Sequence, residues 1–188
     1  MKINLFFATA AVILIVTGSC SGGGQTVDMR LPADTVGFAQ YRWQVDSVLA
    51  RIKRLQPESL ATASLPLEGV TSLRVAISPH DDYSYVGYLY PALLQHVNSR
   101  VVVLFGVGHK AKQFGIEDRL VFSSYRRWKS PGGSVKISDL QESLLKRLPD
   151  DLYVIHDSLQ KVEHSLEALI PFLEHYNPDV QIIPVIVP

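Results

Sequence analysis

Short runs of β-branched and aliphatic residues recur through the second half of the chain, separated by stretches with helical spacing of apolar positions. Residues 73–78 and 101–107 are two such runs, and the stretch between them is long enough for a helix. Strands that are buried on both faces appear in sequence as continuous apolar runs, and a strand, a helix and a second strand make a βαβ unit. Residues 182–187 form a third run of the same kind. The pattern predicts an α/β fold in which these runs are buried strands of a mostly parallel sheet.

Three amphipathic segments, at residues 38–55, 139–148 and 163–176, are predicted to be helices. Apolar residues recur at helical spacing through residues 38–55, and this helix is expected to end before Pro57. Packing against the core is the main interpretation of its aromatic residues, and a partner-binding face is the alternative. The third predicted helix, at residues 163–176, has Glu163 in its first turn. There the carboxylate either stabilises the positive end of the helix or belongs to a pocket.

His80 and His109 directly follow the first two predicted strands. The carboxyl ends of parallel strands meet at one edge of the sheet, which is where open α/β sheets bind ligands. We therefore predict that the two imidazoles share a metal site, whereas either histidine alone would be expected to cap a loop. His156 follows a third strand-like run and is a further candidate by position, with pairing to Asp157 as the alternative.

Five short motifs occur in a fixed order along the second half of the chain. They are Pro-His-Asp-Asp-Tyr-Ser-Tyr at 79–85, Gly-Val-Gly-His at 106–109, Trp-Lys-Ser-Pro-Gly-Gly at 128–133, Glu-His-Ser-Leu-Glu at 163–167 and Ile-Pro-Val-Ile-Val at 183–187. This ordered set resembles the Memo-like family, also called AmmeMemoRadiSam system protein B. The resemblance covers residues 73–188 and implies a three-layer sandwich around a mostly parallel sheet, similar to extradiol non-haem iron dioxygenases.

The resemblance also implies a histidine-rich pocket at the sheet edge, with iron or copper as its cofactor and a metal-dependent redox or dioxygenase-like activity. His80 and His109 match the first two pocket histidines of the family, and Glu163 with His164 matches its third pocket motif. Neutral His164 is expected to act as a general base, since an unperturbed imidazole titrates near working pH. The residues predicted to contact substrate are Tyr83 and Tyr85.

This chain departs from the family pattern at three places. Asp81 and Asp82 stand where the family usually has Ala-Gly, so Asp81 is our predicted carboxylate ligand beside the two histidines, with Asp82 and Glu163 as alternatives. Lys110 replaces a second histidine of the turn. The family also carries a later Asp and His, beyond the position where this sequence ends. We expect a fold that lacks its last part, either truncated or completed by a partner chain.

Three functions remain open at this point. The first is a metalloprotein, the second is a non-catalytic module that binds a small molecule or peptide in the same pocket, and the third is an inactive fragment. A nucleic-acid-binding function is not expected, because the chain has 18 basic and 18 acidic residues and its basic clusters are short. With 47% hydrophobic and 19% charged residues, the composition is that of one globular domain.

The amino terminus has the features of a secretory signal. Lys2 precedes an apolar run at residues 5–16, and Thr-Gly-Ser leads into Cys20, the only cysteine of the chain. This arrangement resembles a bacterial lipobox, and an ordinary signal peptide is the alternative. We predict a signal peptide at 1–19, lipid attachment at Cys20, a flexible tether at 20–34 and the folded domain at 35–188. The protein is then expected to be membrane-anchored outside the cytoplasm, in the periplasm or cell envelope.

Overall fold

A computed structural model describes residues 28–63 and 73–188 of the chain. The predicted signal peptide, Cys20 and residues 20–27 of the predicted tether lie outside the described residues. The last residues of that tether are described, and Met29–Arg30 form a short strand against the domain. None of the helices in these two described stretches has both the length and the apolar character that crossing a membrane requires.

The structure is an α/β fold built on one seven-stranded mixed sheet. The strand order is β1-β4-β5-β7-β3-β6, and β2 pairs with the other side of β7. Four of the strand pairs are parallel, whereas β3 with β7 and β4 with β5 are antiparallel. The strands are β1 (Met29–Arg30), β2 (Val101–Val107), β3 (Leu120–Phe122), β4 (Arg127–Ser130), β5 (Gly133–Ile137), β6 (Tyr153–Ile155) and β7 (Gln181–Val187).

Strand β7 is the centre of the sheet, as its continuous apolar sequence predicts. It runs parallel to β2 along its whole length, from Val101 opposite Gln181 to Val107 opposite Val187. On its other side it pairs with β5 at its start and with β3 near its end. Residues 182–186 are buried, which confirms the prediction for the third apolar run.

The prediction of a strand at residues 73–78 is wrong. Residues 73–80 have no regular secondary structure, and the side chains of Val75 and Ile77 are 83% and 96% exposed. Among the described residues, β2 is consequently an edge strand, and Phe105 on its outer face is 66% exposed instead of buried. A preference for β structure mainly reflects packing against neighbours, so β-branched residues with no layer packed over them do not by themselves produce a strand. The predicted βαβ unit is therefore not formed, although its two ends still meet.

Seven helices cover the sheet within the described residues. Helix α1 confirms the first helical prediction: it ends at Leu55, before Pro57, and it begins at Arg42 with Tyr41 as its N-cap. Its buried residues are Val45 and Ile52. The helices are α1 (Arg42–Leu55), α2 (Pro57–Ala63), α3 (Tyr83–Val86), α4 (Leu89–Leu94), α5 (Leu140–Leu145), α6 (Asp157–Val162) and α7 (Ile170–Tyr176), with a 3-10 turn at Ala111–Phe114.

The predicted helix at 163–176 is wrong in its first half. Helix α7 begins only at Ile170, with Pro171 in its first turn, a position that proline favours. Glu163 instead follows the last turn of α6 in an extended conformation. Its side chain accepts hydrogen bonds from the backbone N–H groups of His164 and Ser165, which replaces the bonds of a helix. The helix-dipole explanation for Glu163 therefore does not apply.

Candidate metal site

His80 and His109 face each other at the carboxyl end of β2. Their Nε2 atoms lie 3.3 Å apart and their ring centroids 5.1 Å apart. His109 reaches this position because β2 ends at Val107 and the N–H of Gly108 bonds to the carbonyl of Val187 on the neighbouring strand. The prediction that the two histidines meet at one sheet edge is confirmed, even though the strand expected before His80 is absent.

Glu163 lies directly behind His109. Its Oε1 is 3.0 Å from Nδ1 of His109, and its side chain is 1% exposed. A carboxylate only accepts hydrogen bonds, so Nδ1 of His109 carries the proton and Nε2 is left with a free lone pair facing His80. The other oxygen, Oε2, is buried and has no hydrogen-bond partner in the part of the chain that the structure describes. An unpaired buried carboxylate oxygen favours a nearby cation or proton.

His164 completes the cluster from a third direction. Its ring packs edge-on against that of His109, with centroids 5.7 Å apart, and Phe38 packs against it from the other side. Asp34 Oδ2 lies 3.6 Å from Nδ1 of His164. Ligand atoms of His109, Glu163 and His164 all lie within 4.8 Å of one another, a spacing that fits a bound metal ion.

The surroundings of His80 favour its neutral form, and those of Glu163 favour its ionised form. Burial lowers the pKa of His80 below its ordinary value of 6.5, and the nearby His109 and His164 lower it further. Burial alone would raise the pKa of Glu163, but hydrogen bonds from His109 and from two backbone N–H groups outweigh it, so that pKa is lowered. Neutral imidazole and ionised carboxylate are the forms that coordinate metal ions.

A buried arginine from the amino-terminal strand supports the loop that carries Glu163. Arg30 is 2% exposed, its guanidinium lies 4.1 Å from the ring centre of Trp128, and its Nε donates to the carbonyl of Gln160 at 2.6 Å. Its Nη2 donates to the carbonyl of Glu163 itself. Its Nη1 forms an ion pair with Glu167 Oε1 at 2.6 Å. The arginine thus fixes both ends of the Glu-His-Ser-Leu-Glu segment.

Glu167 extends this support to Asp34. Its two carboxylate oxygens accept the backbone N–H groups of Ala33 and Asp34 at 2.7 and 2.9 Å. Asp34 in turn accepts from the N–H groups of Val36 and Gly37, and burial, which would raise the pKa of Asp34, is outweighed by these bonds and by His164. A carboxylate that is held in place beside a histidine orients the ring.

The other predicted site residues take different positions. Asp81 is exposed, its Oδ1 accepts the N–H of Asp82, and it does not belong to the compact His109, Glu163 and His164 group. Tyr83 donates its hydroxyl to the carbonyl of Ala168 at 2.6 Å, and Tyr85 is 71% exposed. His156 caps helix α6, where its Nδ1 accepts the N–H of Leu159 at 3.0 Å.

Sequence reasoning did not identify Arg30 and Asp34. Both lie ahead of the motifs, in a stretch whose composition predicts a tether, and a single arginine or aspartate there carries no spacing signal. Glu167 was recognised as part of a motif, but its bond to the amino-terminal segment was not. Only the pairing of β1 with β4 brings these residues to the site.

Comparison with known proteins agrees with the motif order. The family model of Memo-like proteins matches residues 44–188, which is more than half of the chain. The chain belongs to the Memo-like family. Arg30 and Asp34 lie ahead of the matched residues, so their contacts with the site come from a segment outside the family match.

Curated relatives of this Memo-like chain include several archaeal proteins. A MEMO1 family protein of Pyrobaculum aerophilum is 30% identical over 118 residues, which are 58% of this chain and 39% of the relative. Another, from Methanothermobacter thermautotrophicus, is 24% identical over 163 residues, which are 84% of this chain and 56% of the relative. The chain thus spans 39% to 56% of the length of the curated relatives that it matches.

Proposed function

We propose that this Memo-like chain is a metal-binding protein whose ion is held by His80, His109 and His164, with Glu163 as the carboxylate behind His109. The separation of the two Nε2 atoms carries the proposal. Two bonds of about 2.0–2.1 Å at a tetrahedral angle place their nitrogens about 3.3 Å apart. The observed distance is 3.3 Å.

The roles of the two carboxylates follow from their contacts. Glu163 Oε1 is already bonded to the proton-bearing Nδ1 of His109, which is the usual arrangement for an outer partner of a metal-bound histidine. Asp81 faces solvent and its carboxylate bonds to the next residue. We therefore replace Asp81 with His164 in the ligand set, and assign Asp81 no direct bond to the ion.

Three imidazole ligands suit iron, copper or zinc and leave coordination positions for water or a substrate atom. Bound iron or copper would supply redox chemistry at this pocket, which is the activity we propose. In that activity His80 and His109 bind the metal ion. Glu163 holds the proton on Nδ1 of His109, and Asp34 orients the ring of His164. A non-catalytic pocket that binds a small molecule or peptide is the second candidate, favoured by the exposed Tyr85 next to the His80 loop.

We further propose that the protein is a lipoprotein of the cell envelope, attached to the membrane through Cys20. Its support is the amino-terminal sequence: a basic residue, an apolar run and three small residues precede the only cysteine. A three-layer arrangement around the sheet also remains our proposal.

Metal binding by matched histidine variants tests the proposed site. The purified protein is stripped with a chelator, dialysed against Fe²⁺, Cu²⁺ or Zn²⁺, and analysed for bound metal at equilibrium. We expect reversible binding of one ion per chain at saturation. His80→Ala and His109→Ala should each weaken it by more than the roughly 10–100-fold that loss of an outer partner costs.

His175→Gln is the matched control, because His175 is an exposed histidine on helix α7 and is not part of the cluster. It should bind metal as the wild type does. Equal binding by the wild type, His80→Ala and His109→Ala would contradict the proposed ligand set.

A further inference from the structure

One side of helix α1 exposes aromatic and apolar side chains that have no partner layer among the described residues. Trp43 is 64% exposed and Tyr41 61%, and their rings are stacked with centroids 6.5 Å apart. Val36 beside them is 93% exposed. At the far end of the same helix, Leu55 is 54% exposed and Tyr85 on α3 is 71% exposed. We call these five residues, together with Arg51 and Arg54, the α1 face.

The residues of the α1 face adjoin one another in two grooves, apart from Tyr41, which stacks on Trp43, and Arg54, which lines neither groove. Two shallow grooves run along α1: one reaches Val36 and Trp43, and the other reaches Arg51, Leu55 and Tyr85. Both grooves are lined by Val48, Tyr83 and Ser84, so they adjoin one another along the helix. Monomeric proteins rarely expose a large contiguous apolar surface unless it binds something.

The charge of α1 indicates what this surface binds. The helix carries four basic residues and one acidic residue, and its last turns contain Arg51, Lys53 and Arg54 without an acidic neighbour on the helix. None of these three forms an ion pair within residues 28–63 and 73–188. Basic residues in a last turn also complement the helix dipole. That explanation does not account for the exposure of Trp43 and Val36.

The position of the face along the chain points the same way. Cys20, the proposed lipid attachment site, precedes the first described residue, Asp28, by eight residues. A fully extended chain of that length reaches at most about 28 Å. A lipid on Cys20 would thus hold Asp28, which begins the segment leading to Val36 and Tyr41, within about 28 Å of the bilayer.

We infer that the α1 face docks on the surface of a lipid bilayer that contains anionic headgroups. Tryptophan and tyrosine favour the membrane interface, and arginine attracts anionic lipid at the same depth. Docking fixes the orientation of the anchored domain. Because Asp82 and Tyr83 line the grooves and follow the His80 loop directly, it also places that side of the candidate metal site next to the headgroups. The inference rests on the proposed lipid anchor and is independent of the proposed metal.

Trp43 provides the measurement. The chain has two tryptophans, and the other one, Trp128, is 2% exposed. The full-length protein, purified from membranes, is reconstituted into vesicles of phosphatidylcholine with or without phosphatidylglycerol. The emission of the wild type minus that of Trp43→Phe isolates Trp43. Docking predicts emission at shorter wavelength, protection from acrylamide and quenching by brominated acyl chains, all stronger with phosphatidylglycerol.

Paired charge variants test whether the basic residues of the α1 face attract anionic lipid. Each basic group near an anionic membrane surface contributes about fivefold, so Arg51→Gln with Arg54→Gln should lower the ratio of docked to undocked Trp43 about 30-fold. Lys146→Gln with Arg147→Gln removes the same charge from exposed positions after helix α5 and should leave the ratio unchanged.

The possible failures are distinct. A wild-type protein that is absent from the membrane fraction would overturn the lipid anchor and the docking together. A protein that partitions with vesicles while Trp43 stays open to acrylamide would overturn the docking alone. Trp43 protection that depends on protein concentration and not on lipid would show that the face binds a second copy of the chain, which also overturns the inference.

Discussion

Nδ1 of His109 donates a hydrogen bond to Glu163 Oε1 over 3.0 Å, although the two residues are 54 positions apart in the chain. This contact decides which nitrogen of His109 is available. It also joins the end of strand β2 to the Glu-His-Ser-Leu-Glu segment, so the two halves of the candidate site are held together before any ion binds. Preorganised ligands of this kind lose little entropy on binding.

Glu163→Gln should weaken metal binding about 10–100-fold while leaving the protein folded. Glutamine keeps the shape and one acceptor oxygen but removes the negative charge behind His109. Titration with Zn²⁺ and circular dichroism of the same samples measure the two effects separately. Unchanged affinity would show that the carboxylate does not support the ion. A complete loss, equal to that of His109→Ala, would show instead that Glu163 is a direct ligand.

Arg30→Met should destabilise the protein by about 3–5 kcal/mol, because it leaves Glu167 as an unpaired buried charge. Urea denaturation followed by circular dichroism gives the free energy of unfolding. Adding Glu167→Gln to this variant should recover part of the loss, since the amide carries no charge and still accepts the N–H of Ala33. If the double variant is no more stable than Arg30→Met, the ion pair is not the source of the effect.

The metal-free protein should lose stability as the pH falls from 7.5 to 5.5. The pKa of folded His80 is below the ordinary 6.5, so the unfolded state binds more protons in this range and is favoured as pH falls. The contribution of His80 to the free energy of unfolding is fully present above pH 6.5 and is lost as the pH falls toward the pKa of folded His80. Thermal unfolding of the wild type and of His80→Ala measures this difference.

In His80→Ala the loss over this pH range should be smaller, and in His175→Gln it should match the wild type. The carboxyl groups of Glu163 and Asp34 also have lowered pKa values, but they titrate below their ordinary values of 4.5 and 3.8 and so do not contribute here. If the pH profile of His80→Ala overlays that of the wild type, His80 is not the cause of the stability loss.

Gly106→Ala should destabilise the fold by about 1–3 kcal/mol and weaken metal binding as well. A Cβ atom on this buried residue of β2 would lie 2.5 Å from Ser165 Oγ and 2.7 Å from Leu166 Cγ. The segment that carries Glu163 and His164 would have to move away from the strand. Val103→Ala, on the exposed face of the same strand, is the control and should not affect metal binding. Normal metal affinity in a destabilised Gly106→Ala protein would show that metal binding does not depend on the position of this segment.

Cys20→Ala should release the protein from the membrane fraction or leave it unprocessed, because the acyl chains would have no attachment site. Fractionation of cells and mass spectrometry of the amino terminus measure the two outcomes. Ser21→Ala, at the next position, is the matched control and should be processed normally. Wild-type processing and membrane partition in Cys20→Ala would end the lipoprotein proposal.

The sequence determined the central features of the fold and the site in this protein. The apolar run at 182–187 predicts a buried central strand, and β7 is that strand, with β2 on one side and β5 and β3 on the other. His80 and His109 were predicted to meet because each follows an apolar run. Both predictions depend on short local patterns of residue type, and folding does not change these patterns.

The tertiary structure alone decided how the site is assembled. It left residues 73–78 outside the sheet, where no layer among the described residues covers Val75 and Ile77, and it ended α6 before Glu163. It brought Arg30 and Asp34 from a segment with no recognisable motif to within bonding distance of Glu163, Glu167 and His164. Residue type specifies which groups can bond or be buried. Strand pairing, such as that of β1 with β4, determines which of these groups come into contact across more than a hundred residues. No local pattern encodes that pairing.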